Sequence, residues 1–237
     1  LLGEAQTALV AAKAADDTGV LLFDPAMRAA AAERASVACN LRIGLERDEV
    51  LPYYQPKIEL ASGRICGFEA LARWRHPVRG ILAPGAFASA FDEPELALGI
   101  GRAMARKVIA DLHAWLDAGL APGPVAINLS PADFGHCGLA ETLPVMLADA
   151  RIPAHYLVVE VTESVFLGKG GGHVAEALGR LHAAGIRIAL DDFGTGFASL
   201  THLKQFPVHE IKIDQSFVRD LENDPDDAAI VDAVTSL

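Results

Sequence analysis

Ile188-Ala189-Leu190-Asp191-Asp192-Phe193-Gly194-Thr195-Gly196-Phe197 begins as an apolar run short enough to be a buried strand. It stops at two adjacent carboxylates and continues through two glycines two residues apart. Successive residues of an extended strand point to opposite faces. Asp191 and Asp192 therefore share one ion only where the chain bends, and Gly194 and Gly196 permit a bend. An Asp-Asp pair is also readable as a solvated turn. Against the turn stands the rest of the chain, where other strands carry polar groups in the same place.

On both sides of this run, apolar stretches of strand length lie near Pro52–Gln55, Ile65–Leu71, Val125–Leu129, Leu157–Val161, Ile186–Leu190 and Glu210–Ile213. Helices are expected near Pro84–Phe91, Glu95–Ala118, Leu139–Asp149, His173–Ala184 and Phe197–Leu203, with one more starting around Asp226. Alternating strand and helix with short connections predicts parallel β/α architecture, as an open doubly wound sheet or a closed barrel. No G-x-G-x-x-G follows the first strand, which disfavours a dinucleotide fold, and Gly170-Gly171-Gly172 lacks the order of a phosphate-binding loop.

The chain's 237 residues are 51% hydrophobic, a folded composition with room for a sizeable core. A net charge of -11 with no basic stripe argues against binding DNA or RNA polymers. An anionic substrate would need bound cations or a local basic group to offset that field. Cys39, Cys66 and Cys137 are odd in number and show no C-x-x-C spacing, so neither a disulfide framework nor a zinc site is indicated. A reducing, cytoplasmic setting fits. No apolar run reaches the roughly 20 residues that cross a bilayer, and residues 1–20 do not read as a signal peptide.

The strand ends, compared with one another, point to chemistry. The second expected strand ends at Glu69-Ala70-Leu71, the third at Asn128-Leu129-Ser130, and the fourth at Glu160-Val161-Thr162-Glu163. The fifth ends at Asp191-Asp192 and the sixth at Lys212-Ile213-Asp214. In a β/α barrel all such ends open on one face, where active sites lie. Glu, Asn, Glu, Asp and Asp form an all-oxygen set, the preference of Mg²⁺ or Mn²⁺. A lysine among them suits positioning or deprotonating a water, or stabilising charge on a phosphate. The pattern reads as metal-assisted hydrolysis of a phosphate ester. Singly, Glu69 or Glu160 in an apolar run also reads as a buried carboxylate paired with arginine.

These same residues carry a family resemblance. Glu69-Ala70-Leu71 followed by Arg73-Trp74-Arg75-His76-Pro77, then Asn128-Leu129-Ser130, Glu160-Val161-Thr162-Glu163, Asp191-Asp192-Phe193-Gly194-Thr195-Gly196 and Lys212-Ile213-Asp214, resemble in order the signature of the EAL domain family. That family consists of bacterial phosphodiesterases that open cyclic di-GMP to linear pGpG. The resemblance implies an α/β fold, a TIM-like (β/α) barrel, and two Mg²⁺ or Mn²⁺ ions. It implies that Glu69, Asn128, Glu160 and Asp191 hold one metal, that Asp191 and Asp192 reach toward the second, and that Lys212 orients or activates the attacking water. Glu163 resembles the glutamate that anchors the loop after Asp192, and Gln55, Leu71 and Arg73 match positions that contact the dinucleotide. Catalytic roles are thereby expected for Lys212, Glu69 and Glu163.

The resemblance spans roughly residues 45–237 and has departures. Phe197-Ala198-Ser199 stands where the family shows Tyr-Ser-Ser, and the family's late Glu-Gly-Val-Glu and Gln-Gly motifs, with the last barrel strands, would lie past Leu237. The chain thus reads as an excerpt, with membrane or targeting segments possible only outside it. Residues 1–24 resemble the C-terminal end of a GGDEF domain, with a helix over Glu4–Ala15 and a short strand over Val20–Phe23. Residues 25–47 read as a linker helix capped by Asp24-Pro25, and 48–237 as the EAL phosphodiesterase domain. A second reading makes the domain a catalytically inactive sensor of cyclic di-GMP. Homodimerisation is a further expectation.

Overall fold

The computed structural model describes residues 22–135, 138–163, 165, 171–194, 206–219 and 221–236, with 3–5, 8, 9 and 12 before them. Thr195, Gly196, the expected helix over Phe197–Leu203, Cys137 and most of residues 1–21 lie outside the described residues. Leu22 and Phe23, expected to end a strand, are not in one.

Helix α1 (Pro25–Glu46) starts where expected: the Asp24 side chain accepts a hydrogen bond from the Ala26 N–H, and proline occupies the first turn. Its second half is built into the core through Val37, Ala38 and Leu41. Gly44 is required at the crossing, since a Cβ there would lie 2.7 Å from Nε1 of Trp74.

The strands that follow are β1 (Val50–Ile58), β2 (Ile65–His76), β3 (Gly80–Leu82), β4 (Val125–Asn128), β5 (Leu157–Thr162), β6 (Arg187–Phe193) and β7 (Glu210–Ile213). They form one sheet in the order β1-β2-β4-β5-β6-β7, with β3 on β2. From β2 to β7 the order is parallel, as the alternation predicts. The start is a correction: β1 and β2 are antiparallel and β3 extends the hairpin. Only six residues separate β1 from β2, too few for a crossover helix, and Gly63 at φ 69 turns the chain instead. β2 also runs on to His76, so Glu69 lies in mid-strand and not at a strand end.

Helices α2 (Pro94–Asp117), α3 (Leu139–Asp149) and α4 (Gly171–Ala183) follow β3, β4 and β5. Short helices α5 (Gln215–Arg219) and α6 (Pro225–Thr235) follow β7, and the Pro84–Asp92 segment is 3₁₀. α2 buries Leu96, Ile100, Met104, Val108 and Leu112, a strict four-residue spacing that lays one stripe on the sheet. Leu143 of α3 and Leu178 of α4 are fully buried beside it. Truncating any such leucine to alanine costs about 2–5 kcal/mol.

Strand alternation sends the other set of side chains inward. Ala126, Val158 and Ala189 form a small buried interior layer, the stacked packing of a β/α barrel. The sheet curls until Lys57 of β1 comes within 3.8 Å of Glu210 on β7. The α/β fold class with TIM-like curvature is thus as expected. Among the described residues no helix is long and apolar enough to cross a membrane. Cys39 and Cys66 are free and exposed.

Candidate active site

One step above the Ala126–Val158–Ala189 layer, the same inward face carries Asn128, Glu160 and Asp191, because side chains repeat every second residue. Glu69 of β2 and Lys212 of β7 join them from either side. Lys212 Nζ sits among three carboxylates: 2.7 Å from Glu160 Oε2, 2.9 Å from Asp191 Oδ2 and 3.1 Å from Glu69 Oε2. Asn128 donates Nδ2–H to Glu69 Oε1 at 3.2 Å. Five strands therefore deliver five of the expected groups to one point.

Asp192 and Glu163 shape the loop beyond. The β6–β7 register slips between Leu190 and Phe193, and Asp192 itself takes φ 52. The bend expected from glycine begins on an aspartate, one of the few side chains that tolerates the left-handed region. Gly194 follows at φ 102, where its N–H donates to Oε1 of the buried Glu163 at 3.0 Å.

The electrostatics follow from burial and these bonds. Burial by itself would raise Glu69, but the charge and hydrogen bond of Lys212 and the bond from Asn128 hold it below the usual carboxylate range. Complete burial pushes Glu160 upward, against the bonds from Lys212 and Lys57. Burial disfavours the Lys212 ammonium, yet its bonds to Glu160 and Asp191 keep its pKa above that of an ordinary lysine. Burial, then the neighbouring Asp191 and Asp214, raise Asp192.

Oxygens of Glu69, Glu160 and Asp191 all lie within 4.8 Å of one another and already gather round one ammonium. An all-oxygen set that converges on a cation, with Glu160 buried and Glu69 and Asp191 half-buried, fits a hard divalent ion.

The expected substrate contacts stand beside this cluster on the β1–β2 hairpin. Gln55 pairs in register with Glu69, Leu71 with Tyr53, and Arg73 stacks over the Tyr53 ring. Two further site residues carried no role in the sequence reading. Lys57 Nζ holds Glu160 Oε1 at 2.8 Å, so both oxygens of that buried carboxylate face an ammonium. Asp214 hydrogen-bonds with Asp192. For Lys57 the signal was present as alternation, since Tyr53, Gln55 and Lys57 repeat at period two once β1 is carried to Ile58.

Comparison with known proteins points to one family. Residues 38–237 match the EAL domain. The bifunctional diguanylate cyclase/cyclic di-GMP phosphodiesterase MucR of Pseudomonas aeruginosa is 37% identical over 237 residues, 100% of this chain and 34% of MucR. The cyclic di-GMP phosphodiesterase PdeR of Escherichia coli is 32% identical over 237 residues, 100% of this chain and 35% of PdeR. This chain thus spans about a third of the length of these relatives. The solved PaMucR phosphodiesterase, in complex with c-di-GMP, superposes with a TM-score of 0.78 at 37% identity, covering 85% of this chain and 81% of that one. With the match running from the end of α1 through every strand that supplies the carboxylate cluster, the chain belongs to the EAL domain family.

Proposed function

We propose that this chain is a metal-dependent phosphodiesterase domain that hydrolyses cyclic di-GMP to linear pGpG in bacterial second-messenger signalling. The observation that carries the proposal is the convergence of Glu69, Glu160 and Asp191 on Lys212, with Asn128 bonded to Glu69. MucR and PdeR are named for this activity and PaMucR was solved with c-di-GMP, which supports the same substrate here.

Glu69, Asn128, Glu160 and Asp191 would hold one Mg²⁺ or Mn²⁺, and Asp191 with Asp192 would reach a second. Such ions supply Lewis acidity and neutralise charge on the phosphodiester, in a protein whose net charge of -11 would otherwise repel it. Lys212, an ammonium on the inward face, orients the attacking water by donating to its oxygen and faces the developing negative charge. Glu163 holds the Gly194 amide and thereby fixes where Asp192 stands. Gln55, level with Glu69, and Leu71 and Arg73, further toward the mouth on β2, contact the dinucleotide. Residues 1–24 we read as the end of a GGDEF-like domain and 25–47 as its connector, in a cytoplasmic protein that pairs as a homodimer.

The test is incubation with cyclic di-GMP and Mg²⁺ or Mn²⁺, with chromatographic detection of pGpG. Product that vanishes in Glu69→Ala supports the proposal. Tight binding without product under either metal would make the domain a sensor.

A further inference from the structure

We propose that Tyr53 is a substrate-binding residue whose ring is a stacking platform for one guanine base of the dinucleotide. The inference rests on the reading above that the phosphodiester lies at the carboxylate cluster.

The placement comes from strand register. In the β1–β2 hairpin Gln55 stands opposite Glu69, and Tyr53 opposite Leu71. Directly opposed residues share a face, and Glu69 on that face reaches Lys212. Tyr53 therefore projects to the same side as the carboxylate cluster. It sits two residues further toward the mouth, roughly 7 Å from the Gln55–Glu69 pair.

The neighbouring tyrosine shows what a structural role looks like on this strand. Tyr54 points the other way, packs edge-on against Trp115 with centroids 4.9 Å apart, and donates its hydroxyl to Asp111. Among the described residues Tyr53 has no such partners in the core, and it remains 47% exposed. Instead the guanidinium carbon of Arg73, its diagonal neighbour, lies 5.7 Å from the ring centroid. Ring and guanidinium together make an aromatic, cationic patch beside the acid cluster. A purine presents a flat π face and its nucleotide a negative charge, and an aromatic ring next to arginine meets both. On a protein of net charge -11, affinity that comes from stacking avoids the unfavourable overall field.

The experiment is calorimetric titration of cyclic di-GMP into the chain with Ca²⁺, which is expected to permit binding but support little turnover. Wild type is compared with Tyr53→Ala, Tyr53→Leu and Tyr53→Phe, and each is melted by circular dichroism to confirm folding. Tyr53→Ala should weaken binding about 5- to 100-fold, the loss of one base stack. Tyr53→Phe keeps the ring and should bind within about threefold of wild type. Tyr53→Leu keeps apolar bulk without a π face and should behave like the alanine variant. Binding by Tyr53→Leu or Tyr53→Ala as tight as wild type overturns the inference while leaving the phosphodiesterase reading in place. Absence of binding by wild type overturns both.

Discussion

Two residues outside the expected ligand set bear testable loads. Lys57 is one of two cations on the fully buried Glu160, the other being Lys212. Lys57→Met leaves Oε1 of Glu160 without its ammonium, and we expect a loss of about 1–3 kcal/mol in urea unfolding. Lys57→Arg should recover part of it, and an unchanged midpoint in Lys57→Met would remove Lys57 from the account of the site. Asp133 is the second case. Its Oδ2 accepts from the Ser130 amide and hydroxyl, while its Oδ1 is buried with no hydrogen-bond partner among the described residues. Burial raises its carboxyl from 3.8 to about 6, against the pull of the Ser130 bonds and the charge of Arg102. Folding thus favours the protonated form, so this contribution to stability is complete below about pH 4 and lost as pH rises through about 6. Asp133→Asn imitates the protonated carboxyl. It should be more stable than wild type by roughly 2–3 kcal/mol at pH 8, with the gap closing near pH 4. A gap that does not change with pH would show that the carboxyl is not shifted.

At the scale of elements, the turn after β6 depends on glycine. Gly194 combines φ 102 with a tight approach, since a Cβ there would lie 2.8 Å from the Phe217 ring on α5. Gly63 shares the left-handed backbone, at φ 69, with nothing within 4 Å of a Cβ. Gly194→Ala should therefore destabilise by about 1–3 kcal/mol, and more than Gly63→Ala. It should also impair hydrolysis, because it displaces the amide that Glu163 holds. Equal melting temperatures for the two variants would mean that the Phe217 contact relaxes freely. The elements also differ in how far they were legible. β7 and α3 fall on the expected bounds because hydrophobic periodicity and flanking turns agree there. The antiparallel β1–β2–β3 start was not legible, since a strand's period of two is the same for either direction of its neighbour. β2 was cut short at Leu71 because Arg73, Arg75 and His76 look like a loop when the pairing partners β1 and β3 are unseen.

For the whole molecule, the balance of charge links metal to stability. The site gathers Glu69, Glu160 and Asp191 around Lys212 inside a chain of net charge -11, so a divalent ion held there would relieve repulsion and stabilise the folded form. Millimolar Mn²⁺ should raise the melting temperature by several degrees relative to a chelator-treated sample, and Glu69→Ala should abolish most of that rise. An equal rise in Glu69→Ala would place the ion elsewhere. The sequence by itself determined the parallel β/α alternation, the polar groups that recur from strand to strand and the family these motifs belong to. All of these are properties of local periodicity and motif order. Only the tertiary structure decided that Lys212 stands among three carboxylates, that Lys57 reaches Glu160 from the far side of the interior, and that Tyr53 shares a face with Glu69. Those contacts join residues 21 to 143 positions apart or depend on strand direction and register, and register is set by the pairing of strands that no single stretch contains.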